Sequence, residues 1–167
     1  EVIPLLLDAV LNPAPYPRGA CYEVALRALA RPDFIDKLGP HTDTIVPKLV
    51  EHLDSQDEAV GEGFASLGRR AAAAVPDLVA MLDTDNPYLM EMVVSYLAGI
   101  ATPEAVRAVV GAATGRKKVN RAARERLTEW AKDGAFMDAL QALTVDPETD
   151  PKTRKNAVAL LESLMAK

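Results

Sequence analysis

The side chains best suited to chemistry fall into a few small groups. Asp54, Asp57 and Glu58 crowd one turn and Asp83 and Asp85 another, and hard cations favour carboxylate oxygens grouped in this way. The same residues also suit helix capping and solvated turns, because acidic side chains favour the positive end of the following helix. We take the capping reading. The two histidines lie apart, His52 beside Glu51 on a helix and His41 in an irregular segment. No His-Glu-x-x-His string, Cys-x-x-Cys pair, phosphate-cradling glycine loop or nucleophile elbow occurs. Nothing in the pattern sets a general acid against a general base with tuned pKa values. The sequence therefore predicts no catalytic residue, no metal site and no cofactor. A lone Cys21 rules out an internal disulfide framework, suits a small apolar core position, and fits a reducing, cytoplasmic compartment.

Two patches remain as candidates for binding. Arg116, Lys117, Lys118, Arg121, Arg124 and Arg126 gather their charge in one stretch, and Lys117, Arg121 and Arg124 share a face at helical spacing. Such a face suits a phosphate or an acidic segment of a partner protein. The competing reading is a solvated helix surface neutralised by Glu125 and Glu129. The patch has no aromatic residue to stack on bases, and Trp130 is read as a core anchor against the last helix pair.

The second patch is NPYLMEMVVSYLAGI, in which nonpolar positions cover about two-thirds of a helix turning ~100° per residue, leaving Glu91, Ser95 and Ala98 as the polar arc. Either neighbours enclose this helix on three sides, or Tyr88, Met90, Met92 and Val94 include an exposed margin suited to contact. Enclosure is the preferred expectation. The predicted partner-binding set is Tyr88, Glu91, Met92, Ser95, Lys117, Arg121 and Arg124.

The elements that must position these residues repeat. VPKLVEHLDSQDEAV begins at Val46 and VPDLVAMLDTDNPYL at Val75, 29 positions later. Each copy opens an apolar stripe (Val46, Leu49, Val50, Leu53; Val75, Leu78, Val79, Leu82), closes it with Asp54 or Asp83, and turns. A period of about 30 residues built from two short helices is the mark of a solenoid. Five pairs follow: 2–11 with 18–30, 44–53 with 57–67, 72–82 with 87–100, 103–113 with 117–132, and 135–143 with 151–166. Val106 and Val110 hold the stripe of the fourth pair, and Phe136, Leu140 and Leu143 that of the fifth.

Asn86-Pro87, Thr102-Pro103 and Asp150-Pro151 each set a capping side chain before a proline whose missing N–H would be unpaired in any case. Pro47 and Pro76 fall in first turns, and Gly68 and Gly99 stand where second helices should stop in a left-handed residue. Residues 31–43 break the period; Phe34, Ile35 and Leu38 are expected to fold back over the first pair as a packed insertion.

Composition limits the alternatives. The chain has 167 residues, 49% hydrophobic but 5% aromatic, so its core consists of Ala, Leu and Val and suits close helix packing. One domain covering 1–167 is the natural count. A net charge of −5 argues against general affinity for nucleic acid or an anionic membrane. No apolar run approaches the ~20 residues of a membrane span. The chain opens at Glu1 without methionine, already inside VIPLLLDAVL, which points to a longer parent chain with room for a targeting segment upstream.

The phrase VPKLVEHLDSQDEAVGEGFASLG resembles the short bacterial type of HEAT repeat, including the group related to bilin-lyase repeats. The likeness is good over 42–100 and looser elsewhere. That family often carries a Val-Arg pair early in the second helix, where this chain has Ala59-Val60-Gly61 and Leu89-Met90-Glu91; Val119-Asn120-Arg121 and Thr153-Arg154 come nearest. The resemblance implies an all-α, α-α superhelix of about five HEAT-like pairs that binds another protein on its second helices. A bilin-lyase-like subunit and a helical-repeat nucleic-acid binder are the alternatives.

Overall fold

Alanine, leucine and valine favour helices that approach closely, and in a computed structural model every regular element among the described residues is helical. The structure describes residues 4, 5, 8, 39–51, 58–84, 86–114, 127–132 and 134–166. The first predicted pair, Phe34, Ile35 and Leu38 of the insertion, Cys21 and His52 lie outside them. The chain divides into two compact units, Glu1–Ala74 and Val75–Lys167.

In the first unit a 3-10 turn, Gly39–His41, leads into α1 (Thr42–Glu51); α2 (Glu58–Leu67) is followed by a 3-10 stretch, Gly68–Ala74. The expected insertion therefore ends in helix, and α1 begins before the predicted residue 44. Asp43 in the first turn complements the positive end of the helix dipole. This earlier start moves Pro47 out of the first turn into the helix interior. Its ring is exposed, and the absent N–H leaves the Asp43 carbonyl without its usual i+4 donor. Helix α1 packs against α2 and the 3-10 stretch. Ile45, Val46 and Leu49 are buried on α1, as are Val60, Phe64 and Leu67 on α2. Gly63 is the point of close approach: a Cβ there would stand 3.0 Å from Leu49 Cδ2. Gly68 has φ 52°, the left-handed residue expected where α2 stops.

The second unit contains α3 (Val75–Met81), α4 (Pro87–Ile100), α5 (Pro103–Thr114), α6 (Gly134–Val145) and α7 (Pro151–Met165), with residues 127–130 also helical. Helix α4 packs against α3, α5 and α6; α5 packs against α3, α6 and α7; and α6 packs against α7. The predicted stripes supply Val75 and Leu78, Val106 and Val110, and Phe136, Leu140 and Leu143 to the core. Val79 departs from its stripe and is 40% exposed.

All three predicted proline-linked caps form. Asn86 accepts hydrogen bonds from the N–H groups of Tyr88 and Leu89. Thr102 Oγ1 accepts the Ala105 N–H at 3.2 Å, and Asp150 Oδ1 accepts the Thr153 N–H at 2.9 Å. Thr102 is buried, so Thr102→Ala leaves that donor without water and should cost about 1 kcal/mol in urea unfolding. An unchanged midpoint would remove the cap from this account. Gly99, by contrast, lies inside α4. The left-handed residue is Ala101, φ 52°, whose N–H reaches the Leu97 carbonyl and carries the helix one residue past the glycine.

The turn between α6 and α7 is held by charge. Arg154 Nη2 donates to the carbonyls of Asp146 at 2.8 Å, Thr149 at 3.0 Å and Pro147 at 3.3 Å. Asp146 accepts the Glu148 N–H and the Thr149 hydroxyl, both at 3.0 Å, and in that order these bonds hold its carboxyl below the ordinary 3.8. Asp150 is lowered likewise, chiefly by Thr153. Depressed folded values mean that both carboxylates stabilise the unit above pH 3.8 and lose that contribution as pH falls through the folded values. Acid should therefore lower the parent's thermal midpoint more steeply than that of Asp146→Asn with Asp150→Asn. Equal acid slopes would contradict this.

Candidate interaction surface

The candidate surface is built on α4. Asn86 fixes its first turn, and the Asn86 N–H in turn donates to Thr84 Oγ1 at 3.1 Å, so the chain enters the helix at a defined angle. Pro87 occupies the first helical position. Tyr88 follows, 46% exposed, with Glu91 half-buried one turn on. Beyond that point every residue but Gly99 is buried. Nine of its fourteen residues are buried, Met90, Met92 and Val94 among them, which is the enclosed arrangement. Tyr88 is the part of the suspected apolar margin that faces outward.

Enclosure overturns the expected polar arc. Ser95 is 8% exposed and Ala98 1%. Ser95 tolerates burial because its hydroxyl accepts the Trp130 indole N–H at 3.0 Å. Trp130 therefore ties to α4. Met92, at 7% exposure, is packed inside because α3, α5 and α6 surround its helix. A partner reaching this face meets Tyr88 and Glu91; Met92 and Ser95 act beneath them as packing. Composition held a usable signal for the missed bond: a tryptophan N–H and a serine hydroxyl on enclosed helices each need a partner.

Lys117, Arg121 and Arg124 lie outside the described residues, as do Asp54, Asp57 and Asp85. Asp83 is exposed in the turn after α3. Among the described residues no group of three or more His, Cys, Asp or Glu side chains is placed to hold a metal ion. Among them, too, no helix is long and apolar enough to cross a membrane. A groove of about 290 Å³ runs beside α7, lined by Thr114, Leu127, Thr128, Leu160, Ser163 and Leu164 among others. Thr114, Thr128 and Ser163 supply its hydroxyls, and leucines with Ala113 and Ala159 form the rest of its wall.

No protein-family model matches this chain, and no curated protein does. Among solved structures, the chain is similar to a crystal structure described as an engineered protein, with 21% identity over 99% of this chain and 80% of that one and a TM-score of 0.46.

Proposed function

We propose that this chain is a noncatalytic interaction module of the HEAT-like helical-repeat kind, working in a reducing cytoplasm and binding another protein through the second helices of its pairs. The supporting observation is α4: its apolar residues are spent on packing, while Asn86 and Pro87 present Tyr88 at the surface with Glu91 a turn away. An exposed aromatic beside a carboxylate at the capped start of a helix suits a contact with another protein. Lys117, Arg121 and Arg124 extend the same reading to an acidic segment on the partner.

The test is affinity capture from lysate with the parent chain, with Tyr88→Ala, and with Arg121→Glu plus Arg124→Glu, each shown to be folded by circular dichroism. A protein held by the parent and lost in either variant is the expected result. Capture unaffected by both variants would remove this face from the proposal. Nucleic acid or a tetrapyrrole pigment in the eluate would replace the proposal with another function.

A further inference from the structure

Helix α7 carries an exposed stripe that mixes charged and apolar residues. Lys155, Val158, Ala159, Glu162 and Met165 recur at helical spacing and all are exposed, Val158 at 38% and Met165 at 70%. Among the described residues neither Lys155 nor Glu162 takes part in an ion pair within the chain. The order of charge is also the reverse of what an isolated helix favours. Lys152 and Lys155 stand toward the N-terminal end and Glu162 in the last turns, with no acidic residue in the first turn and no basic one in the last.

That order becomes favourable if the stripe meets itself. Place a two-fold axis between Val158 and Ala159, with the two helices antiparallel. Lys155, three residues before Val158, then faces Glu162 of a second copy, three residues after its Ala159, and the reciprocal pair forms across the axis. Lys152 comes level with Met165 of the second copy, where its aliphatic stem covers the thioether. Valine and alanine at the centre let the axes approach to the ~8–10 Å of packed helices. We propose that this face of α7 is the contact of an isologous, antiparallel dimer of the chain, with paired Lys155–Glu162 bridges. The proposal needs no heterologous partner and stands apart from the Tyr88 surface. One helix face makes a small interface, so the dissociation constant is expected on the order of 10–100 µM and to weaken with salt.

Sedimentation equilibrium of the full chain over about 5–500 µM tests it, with Lys155→Glu, Glu162→Lys, the double exchange, and an equimolar mixture of the two single variants. Each single variant sets like charges together twice and should weaken association at least tenfold. The double exchange and the mixture both restore complementary pairs and should recover it. A parent that stays monomeric throughout, or single variants that dimerise like the parent, would overturn the proposal. So would a loss that neither the mixture nor the double exchange repairs.

Discussion

Replacing Val94 by aspartate should unfold the Val75–Lys167 unit, at a cost of more than about 4 kcal/mol, whereas aspartate at Tyr88 should stay within about 0.5 kcal/mol of the parent. Val94 is 1% exposed on a helix that packs against three others, so a carboxylate there is cut off from water. Tyr88 is 46% exposed in the first turn of the same helix, where a negative charge agrees with the dipole. The pair of variants separates packing from presentation on one element. Urea unfolding followed by circular dichroism decides the matter. A Val94→Asp chain with a parent-like midpoint would mean that the margin of α4 is wet and that its exposed face extends beyond Tyr88 and Glu91.

In the other unit the largest effect is expected at Gly63. A single methyl carbon there already meets Leu49 Cδ2 at 3.0 Å and Cδ1 at 3.3 Å, and Leu49 is fully buried. Gly63→Leu should therefore force α1 and α2 apart and cost about 3 kcal/mol or more, despite the better helix propensity of leucine. Leu49→Ala alone should cost about 2–5 kcal/mol through its cavity. Combined, the two should cost less than their sum by about 1–3 kcal/mol, since each supplies the volume the other disturbs. Strict additivity would show that the approach of the two helices is looser than 3.0 Å implies. Gly111 is the control: nothing lies within 4 Å of its Cβ position, so Gly111→Ala should raise stability by about 0.5–1 kcal/mol.

What the sequence revealed and what it hid divide along the range of the interactions. Asn86, Thr102 and Asp150 cap their helices through bonds to residues two or three positions on, and a local pattern is enough to find them. The left-handed stop after α2 is legible because glycine is the residue most tolerant of that conformation and Gly68 stands there. The stop after α4 is not, because Ala101 takes the conformation two residues beyond the glycine that advertises it. Pro47 lies inside α1 rather than in its first turn because the helix starts two residues earlier, at Thr42, with Asp43 as the local mark of that start. The candidate surface suffered most, since its membership depends on burial. Ser95 and Met92 have the residue types of a contact face, yet the bond from Trp130, 35 positions away, and the flanking helices set them inside.

The Trp130–Ser95 bond also fixes what light can report. Trp130 is the chain's single tryptophan, half-buried against α4, so its emission follows the state of Val75–Lys167 alone. Ellipticity sums helices from both units. Unfolding curves recorded by the two signals on one sample would superimpose if the chain melts in a single step, and would separate if Glu1–Ala74 loses its helices at a different denaturant concentration. The indole thus divides the molecule spectroscopically at the same place where its helices divide it by packing.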